Sequence, residues 1–202
     1  MSKGLLMVIS GPAGSGKGTV GELLLTTGDF VYSVSATTRA PRPGEIDGVN
    51  YHFIDRENFK EHIREGELLE YTEYCGNYYG TLKKEALAVL ESGKNLILEI
   101  EVEGAKNVKR MYPDAILIML LPPSFEIQEQ RLRGRGTETE EKILARLEQT
   151  RRELEWLDLY DYVVYNYNGG APVAADDIKA IVRAEKLSRR RDPDAAKKYF
   201  EK

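Results

Sequence analysis

A glycine-rich loop between an apolar run and a helical pattern constrains the fold of this chain more than any other feature. The loop fits the spacing G-x-x-x-x-G-K and comprises Gly11, Pro12, Ala13, Gly14, Ser15, Gly16, Lys17, Gly18 and Thr19. The apolar residues 5–9 before it predict a strand, and spaced apolar residues after it predict a helix. In this context backbone N–H groups and the lysine ammonium cradle phosphates, so the sequence predicts a nucleoside triphosphate site.

One position departs from the usual form of this motif. The residue after Lys17 is Gly18, where the motif has a serine or threonine whose hydroxyl binds magnesium, and Thr19 follows one residue later. We therefore expect Mg²⁺ to be held by phosphate oxygens and water, without a direct protein ligand. Thr19 and Glu99 are the candidate partners of the metal through water.

The composition predicts one globular domain in a reducing compartment. The 202 residues are 42% hydrophobic and 31% charged, and the formal net charge of −4 gives no general attraction for nucleic acid or anionic membranes. The single cysteine, Cys75, permits no internal disulfide, and His52 and His62 complete no zinc ligand set. Because no leader or membrane span is evident, we expect a cytoplasmic protein; its oligomeric state stays open.

The order of predicted elements indicates an α/β fold, with a parallel sheet of the P-loop NTPase type flanked by helices. Strands are predicted over residues 30–35, 95–101, 115–121 and 162–165. Short aromatic β patterns interrupt this core and predict an inserted small lobe. Residues 124–159 predict a helical hairpin that covers the site. Within a single domain, 1–202, we assign residues 1–33 and 84–202 to the core, 34–83 to the inserted lobe and 124–150 to the lid.

Charged side chains near two predicted strands are candidates for ligand binding. Arg39 and Arg42 lie in a proline-rich segment predicted to be polyproline-like, where residues three apart point the same way and suit a phosphate. A solvated basic loop explains that spacing equally well. Glu99 and Glu101 end the strand over 95–101, where parallel sheets bind ligands, although Glu101 in particular could instead cap the next helix.

Ordered groups of residues along nearly the whole chain resemble the guanylate kinase family. The groups are Ser35-x-x-x-Arg39-x-x-Arg42-Pro-Gly-Glu, Gly-Val-x-Tyr51-His-Phe, Leu-Leu-Glu70-Tyr, Tyr79-Gly-Thr81, Leu98-Glu99-Ile-x-x-x-Gly-Ala and Arg131-Leu-x-x-Arg135-Gly-Thr-Glu-Thr-x-Glu. The resemblance implies a lobe that binds GMP, a mobile lid, and Mg²⁺ as cofactor. It also implies reversible transfer of the terminal phosphoryl group of ATP to GMP or dGMP, giving ADP and GDP, in purine metabolism and GMP recycling.

The resemblance implies roles for individual residues as well. Matching positions bind the phosphate of GMP (Arg39, Arg42, Tyr51, Tyr79), the guanine base (Glu70, Ser35, Thr81) and the acceptor site generally (Glu99, Glu101). Lys17, Arg39, Arg135 and Arg146 match the catalytic cations, Arg131 assists at the phosphates of ATP, and Asn166 lies near adenine. From charge pattern alone, the lid arginines would instead form a solvated, salt-bridged surface.

Two other functions stay open from the sequence. A catalytically silent, guanylate-kinase-like binding module would have a damaged phosphate loop, whereas Lys17 is intact here. A P-loop kinase for a different acceptor is favoured by Gly18 but disfavoured by Glu70. Further departures from the family pattern are Glu101 in place of an aspartate, and Tyr167 and Asn168 in place of acids after Asn166.

Overall fold

The computed structural model describes residues 3–74, 76–134, 136 and 138–201. The strands of this part are β1 (Leu6–Ser10), β2 (Phe30–Tyr32), β3 (Ser35–Thr37), β4 (His52–Phe53), β5 (Leu68–Tyr74), β6 (Asn77–Leu82), β7 (Asn95–Leu98), β8 (Ile116–Leu121) and β9 (Tyr162–Tyr165). The α-helices are α1 (Lys17–Leu25), α2 (Arg56–Arg64), α3 (Lys83–Glu91), α4 (Val102–Met111), α5 (Phe125–Gly134), α6 (Glu140–Leu154), α7 (Ala171–Lys186) and α8 (Ala195–Phe200).

Five strands form the main sheet, in the order β2-β7-β1-β8-β9. Every pairing in it is parallel, as connections through helices require. Strand β1 lies in the centre and ends at the glycine loop, which therefore opens at the carboxyl edge of the sheet. The predicted α/β fold with a parallel sheet is confirmed.

Alternate residues of the central strands face two separate cores. Met7 and Ile9 pack with apolar residues of α1 and α7 on one side of the sheet. Leu6 and Val8 pack with residues of α3 and α4 on the other side. Because successive side chains of a strand point to opposite faces, a strand covered by helices on both sides must be apolar throughout. This burial explains the uninterrupted apolar runs before the loop and before Pro122.

A second, smaller sheet has the order β4-β3-β6-β5. Its strands pair antiparallel except for β3 and β4, and its core contains Ala36, Phe59 and Leu68. The prediction of one strand over residues 30–35 was wrong. Strand β2 ends at Tyr32 in the main sheet, and β3 begins at Ser35 in the second sheet. The chain changes pairing partners between them, which an alternating sequence pattern does not register.

Helices α5 and α6 form an antiparallel pair beside the glycine loop. Leu132, Ile143 and Leu147 make a small core between them, and Ala13 of the loop packs against this core. The pair occupies the region predicted as the lid. Helix α6 continues to Leu154, four residues beyond the predicted limit of the lid.

The residues that follow α7 are attached to the domain through a buried carboxylate. Glu185 is only 5% exposed and accepts hydrogen bonds from the Tyr162 hydroxyl (2.7 Å), from Arg190 (2.5 Å) and from Arg191 (3.0 and 3.1 Å). Burial opposes ionisation of this carboxyl, but the hydrogen bonds outweigh it and lower the pKa of Glu185 to about 2.

Within the described residues, no helix is both long and apolar enough to cross a membrane.

Candidate active site

The glycine loop has a backbone that side chains at three of its positions would disrupt. Gly14 and Gly16 have φ angles of +86° and +88°, in the left-handed region that favours glycine. A Cβ atom at Gly11 would lie 2.2 Å from the carbonyl oxygen of Leu120, well inside contact distance. Helix α1 begins directly after Gly16, so its N-terminus adjoins the loop, as in known phosphate-binding loops.

Three consecutive carbonyl groups of this loop are held by side chains from other elements. Their oxygens accept hydrogen bonds as follows: Ala13 from Gln128 Nε2 (3.0 Å), Gly14 from Arg131 Nη1 (3.2 Å) and Ser15 from Asn166 Nδ2 (2.8 Å). These bonds fix the orientation of three successive peptide groups. Arg131 and Asn166, which we expected at the nucleotide itself, bind the backbone of the loop in this structure.

A cavity of about 670 Å³ opens between the glycine loop, the segment before α4, and helix α6. Lys17 and Arg146 both line it, which brings together two predicted catalytic cations from distant parts of the sequence. The Lys17 ammonium donates to the carbonyl oxygen of Gly11 at 2.5 Å. Arg146 makes a two-pronged ion pair with Glu138, with both N···O distances at 2.7 Å. Arg135, the other predicted catalytic cation of the lid, lies outside the described residues.

A second cavity, of about 550 Å³, lies on the other side of the loop. Thr19, Arg131 and Asn166 line it, together with Tyr167 and Asn168. Burial lowers the pKa of Arg131 from its ordinary value, and its guanidinium also donates to Asn168 Oδ1 at 3.0 Å. Predicted residues of the ATP site therefore surround the loop on two sides.

The third cavity, of about 300 Å³, lies between the two sheets. Six of the nine residues predicted to bind GMP line it: Ser35, Tyr51, Glu70, Tyr79, Glu99 and Glu101. These residues come from three strands of the small sheet, from the loop before β4 and from the segment after β7. The fold therefore gathers side chains that are up to 66 positions apart in the sequence.

Strand register explains how the polar base of this cavity is built. Glu70 of β5 and Ser35 of β3 both pair with Thr81 of the intervening strand β6. The Thr81 hydroxyl donates to Glu70 Oε1 at 2.8 Å, and Glu70 is 3% exposed. Burial raises the pKa of Glu70 to about 7, although both hydrogen bonds from Thr81 favour the ionised form. The cavity thus holds a carboxylate that takes up a proton near neutral pH.

Two of the four residues predicted to bind the phosphate of GMP, Tyr51 and Tyr79, line this cavity, whereas Arg39 and Arg42 do not. The Arg39 guanidinium lies 5.4 Å from the ring centroid of Tyr51, and the rings of Tyr51 and Tyr79 are 6.2 Å apart. Arg39 pairs with both oxygens of Glu45, at 2.8 and 3.0 Å. The side chain of Arg42 is exposed, but its backbone N–H donates to the same Glu45 carboxylate at 2.6 Å.

Glu99 and Glu101 line the first cavity, beside the glycine loop, and also the third, around Glu70. We call these the phosphate cavity and the acceptor cavity, and the two glutamates lie where they meet. The prediction that they end a strand was wrong, because β7 stops at Leu98 and Glu101 is the N-cap residue of α4. The Tyr32 hydroxyl donates to Glu99 Oε2 at 3.2 Å. Burial, followed by the charge of Glu99, raises the pKa of Tyr32 above its ordinary value.

Four polar residues of the site had no predicted role, although Glu45 and Glu138 belong to the residue groups that carry the resemblance. Glu45 and Glu138 hold Arg39 and Arg146, whereas Gln128 and Thr150 are buried between the lid helices and the loop. The first two could have been found from an acidic residue near each candidate arginine. The last two could have been found because each is a polar residue at a position where the spacing of apolar residues along the helix predicts a buried apolar side chain.

Two cavities that share Glu99 and Glu101, one at a P-loop and one at a buried carboxylate, provide adjoining places for a phosphoryl donor and an acceptor. Together with the parallel sheet, this arrangement defines a phosphotransferase of the P-loop class. A family model described as guanylate kinase matches residues 3–184. The chain therefore belongs to the guanylate kinase family.

Individual relatives agree with this membership. A guanylate kinase of Desulfitobacterium hafniense (strain Y51) is 49% identical over 191 residues, covering 94% of each chain. One of Halalkalibacterium halodurans is 52% identical over 190 residues, covering 94% of this chain and 92% of that relative. The crystal structure of guanylate kinase from Anaplasma phagocytophilum is similar with a TM-score of 0.74 at 34% identity, covering 94% of this chain and 90% of that one.

Proposed function

We propose that the chain transfers the terminal phosphoryl group of ATP to GMP reversibly, with dGMP as a second acceptor. ATP-dependent phosphorylation of GMP to GDP is the reaction that family membership gives. The observation that carries the proposal for this chain is Glu70, a carboxylate buried at the base of the acceptor cavity. Ser35 and Thr81, which pair across the strands beside it, support a site for a purine base.

The base specificity follows from complementary hydrogen bonding. Guanine presents two adjacent N–H donors on its Watson–Crick edge, and a carboxylate accepts both. Adenine presents an acceptor nitrogen where guanine has one of these donors, so its lone pair would face the negative charge of Glu70. A buried polar group left without its partner is costly, so a site of this kind can discriminate by factors on the order of 10⁴.

The proposed transfer step needs alignment and positive charge more than covalent chemistry. Arg39, Arg42, Tyr51 and Tyr79 would hold the phosphate of GMP, while Lys17 and the lid arginines would stabilise charge on the moving phosphoryl group. The attacking oxygen belongs to an already anionic phosphate, so no general base is required. The geometry that supports this is the shared boundary of the two cavities at Glu99 and Glu101.

Magnesium fits this site only as a metal bound largely by phosphate and water. The described residues contain no group of three or more His, Cys, Asp or Glu side chains that could hold an ion. Mg²⁺ commonly keeps several waters and uses substrate phosphates as ligands. We propose that Thr19 or Glu99 contacts it through water, and that it supplies positive charge at the phosphates of ATP.

We further propose a cytoplasmic role in purine metabolism, where the enzyme would return GMP to the diphosphate pool. No nucleic-acid or membrane partner enters this proposal, because the net charge of −4 offers no general attraction for polyanions. The substrates alone account for the cavities described above.

The acceptor specificity is tested by measuring ADP formation with GMP, dGMP, AMP, CMP and UMP at fixed MgATP. We expect kcat/KM for GMP and dGMP to exceed that for AMP by a factor on the order of 10³ or more, because Glu70 can pair with guanine but not with adenine. Reactions without acceptor measure the background hydrolysis of ATP. Comparable rates with AMP or CMP would contradict the proposed assignment of the cavity.

Replacing Gly18 with serine tests how the metal is held. No heavy atom of the described residues lies within 4 Å of a Cβ added at Gly18, so the variant should fold like the parent. We expect the hydroxyl to become a direct ligand and to lower the Mg²⁺ concentration for half-maximal activity several-fold. Gly18→Ala is the matched control and should leave that concentration unchanged. An unaltered metal requirement in the serine variant would show that this position does not face the ion.

A further inference from the structure

A chain of buried hydrogen bonds runs from the phosphate loop to the lid helix that carries Arg146. The side-chain amide of Gln128 in α5 donates to the Ala13 carbonyl oxygen (3.0 Å) and to the Thr150 hydroxyl in α6 (2.7 Å). The Thr150 hydroxyl donates in turn to the carbonyl oxygen of Arg146 at 2.9 Å. Gln128 and Thr150 are 1% and 3% exposed, so water does not compete for these groups.

The direction of every bond in this chain is fixed by chemistry. A carbonyl oxygen can only accept, so the nitrogen of the Gln128 amide must face Ala13. Thr150 uses its single hydroxyl hydrogen on Arg146, so it must accept from Gln128. Both hydrogens of the amide nitrogen are thereby used. Rotating the amide by 180° would place its oxygen against the carbonyl oxygen of Ala13, which can only accept, so the observed orientation is the one that satisfies both groups.

Apolar contacts reinforce the same connection from the other side of Ala13. Its methyl group packs into the small core that Leu132, Ile143 and Leu147 form between the two lid helices. Ala13 is therefore attached to the lid through its backbone oxygen and through its side chain. Ala13 is thus one point at which the loop contacts both lid helices.

We propose that Gln128 and Thr150 are positioning residues that fix Arg146 relative to the phosphate loop, and so to the phosphates of ATP. The proposal rests on the role in phosphoryl transfer proposed above for Arg146. The backbone of Arg146 is held by Thr150, one helical turn away, and its guanidinium by Glu138. Loss of the Gln128 or the Thr150 side chain would therefore remove a link between the loop and the helix that carries Arg146.

The proposal is tested with a pair of variants that differ only in one hydroxyl. Thr150→Val keeps the shape of the side chain and removes the hydroxyl, whereas Thr150→Ser keeps the hydroxyl and removes a methyl group. We expect the valine variant to lose between about tenfold and 100-fold in kcat and to show a raised KM for MgATP, because small displacements of a catalytic group cost that much. The serine variant should retain most of the rate. GMP affinity, measured by calorimetry without ATP, should be unchanged in both.

A structural role alone predicts a different result. If the hydroxyl only stabilised the fold, both nucleotides would be affected together, or neither would be once the protein is folded. Asn95→Leu serves as the control for general loss of a buried amide, since Asn95 is 2% exposed and bonds Leu5 and Asp29 away from the loop. This variant should have a lower melting temperature but an unchanged ratio of the KM for MgATP to the Kd for GMP.

Three outcomes would overturn the proposal. They are unchanged kcat and KM for MgATP in folded Thr150→Val, an equal loss in Thr150→Ser, and a parallel loss of GMP affinity. Should the valine variant fail to fold, Gln128→Met removes the same hydrogen-bonded connection, and its kcat, KM for MgATP and GMP affinity test the proposal instead. Arg146→Ala separates the two proposals: if it retains full activity, the role of Arg146 fails and positioning fails with it. If it is impaired while Thr150→Val is not, only the positioning fails.

Discussion

Replacing Lys17 with alanine is expected to lower kcat by a factor on the order of 10³ or more, because the transition state spreads negative charge over the transferred phosphoryl group. Lys17 is the first residue of α1 and lines the phosphate cavity beside the loop. Alanine keeps the helix but removes a fixed positive charge at the position where donor phosphates would lie. The loss should appear in steady-state formation of ADP with saturating GMP.

The matched control for this variant is Lys179→Ala. Lys179 is a lysine of α7 that pairs with Asp176 on the surface, and its loss should leave the rate within experimental error of the parent. GMP affinity should be the same in both variants, because Glu70 and its neighbours are untouched. If Lys17→Ala retained most of the rate, the loop could not be the catalytic phosphate site.

The second large effect is expected for Glu70→Gln, which should reduce the preference for GMP over AMP by a factor on the order of 10³. The amide oxygen of glutamine can accept one hydrogen bond from guanine, but its NH₂ group would face the second guanine donor. Comparing kcat/KM for the two acceptors in parent and variant measures the change directly. An unchanged ratio would remove Glu70 from base recognition.

The pH dependence of the parent enzyme provides an independent reading of the same residue. Because the pKa of Glu70 is raised to about 7, the carboxylate takes up a proton as the pH falls below neutrality. A protonated carboxyl cannot accept both guanine donors, so kcat/KM for GMP should fall below about pH 7. Glu70→Gln has no group to titrate there and should lack this part of the profile.

The raised pKa of Glu70 also affects folding stability, but here low pH is favourable, whereas GMP binding favours high pH. The pKa of Glu70 is about 7 in the folded protein, above the ordinary value of about 4.3 expected in the unfolded chain. The folded state therefore binds the proton more tightly, and the contribution of Glu70 to stability declines as the pH rises through 7. We expect the melting temperature of the parent to fall more steeply than that of Glu70→Gln between about pH 5 and pH 8.

The parts of the fold that depend on local sequence pattern were predictable. The P-loop lies between β1 and α1, as the spacing of its glycines indicated, and the hairpin of β5 and β6 follows the alternating aromatic pattern. The change from β2 to β3 was not predictable. Both strands have the same local pattern, and only their pairing with β7 or with β6 distinguishes them.

The candidate site divides in the same way. The spacing of the glycine loop predicted a role for Lys17 and made Arg39 one of two readings of a basic segment, whereas Glu70 was a candidate only through the resemblance to the guanylate kinase family. Glu45, six positions from Arg39, was within reach of a spacing argument, whereas the bond from Gln128 to Ala13 arises from the path of the chain. The latter joins residues 115 positions apart, beyond the reach of any spacing rule.

The hydrogen bonds that Arg190 and Arg191 donate to Glu185 determine where the chain can be shortened. A chain that ends before Arg190 would leave the buried Glu185 carboxylate with the Tyr162 hydroxyl as its remaining donor of those described above. A chain that ends after Asp192 keeps both guanidinium donors. Expression formats that trim the tail, or that append a reporter to it, should therefore keep the arginines and place the junction beyond them.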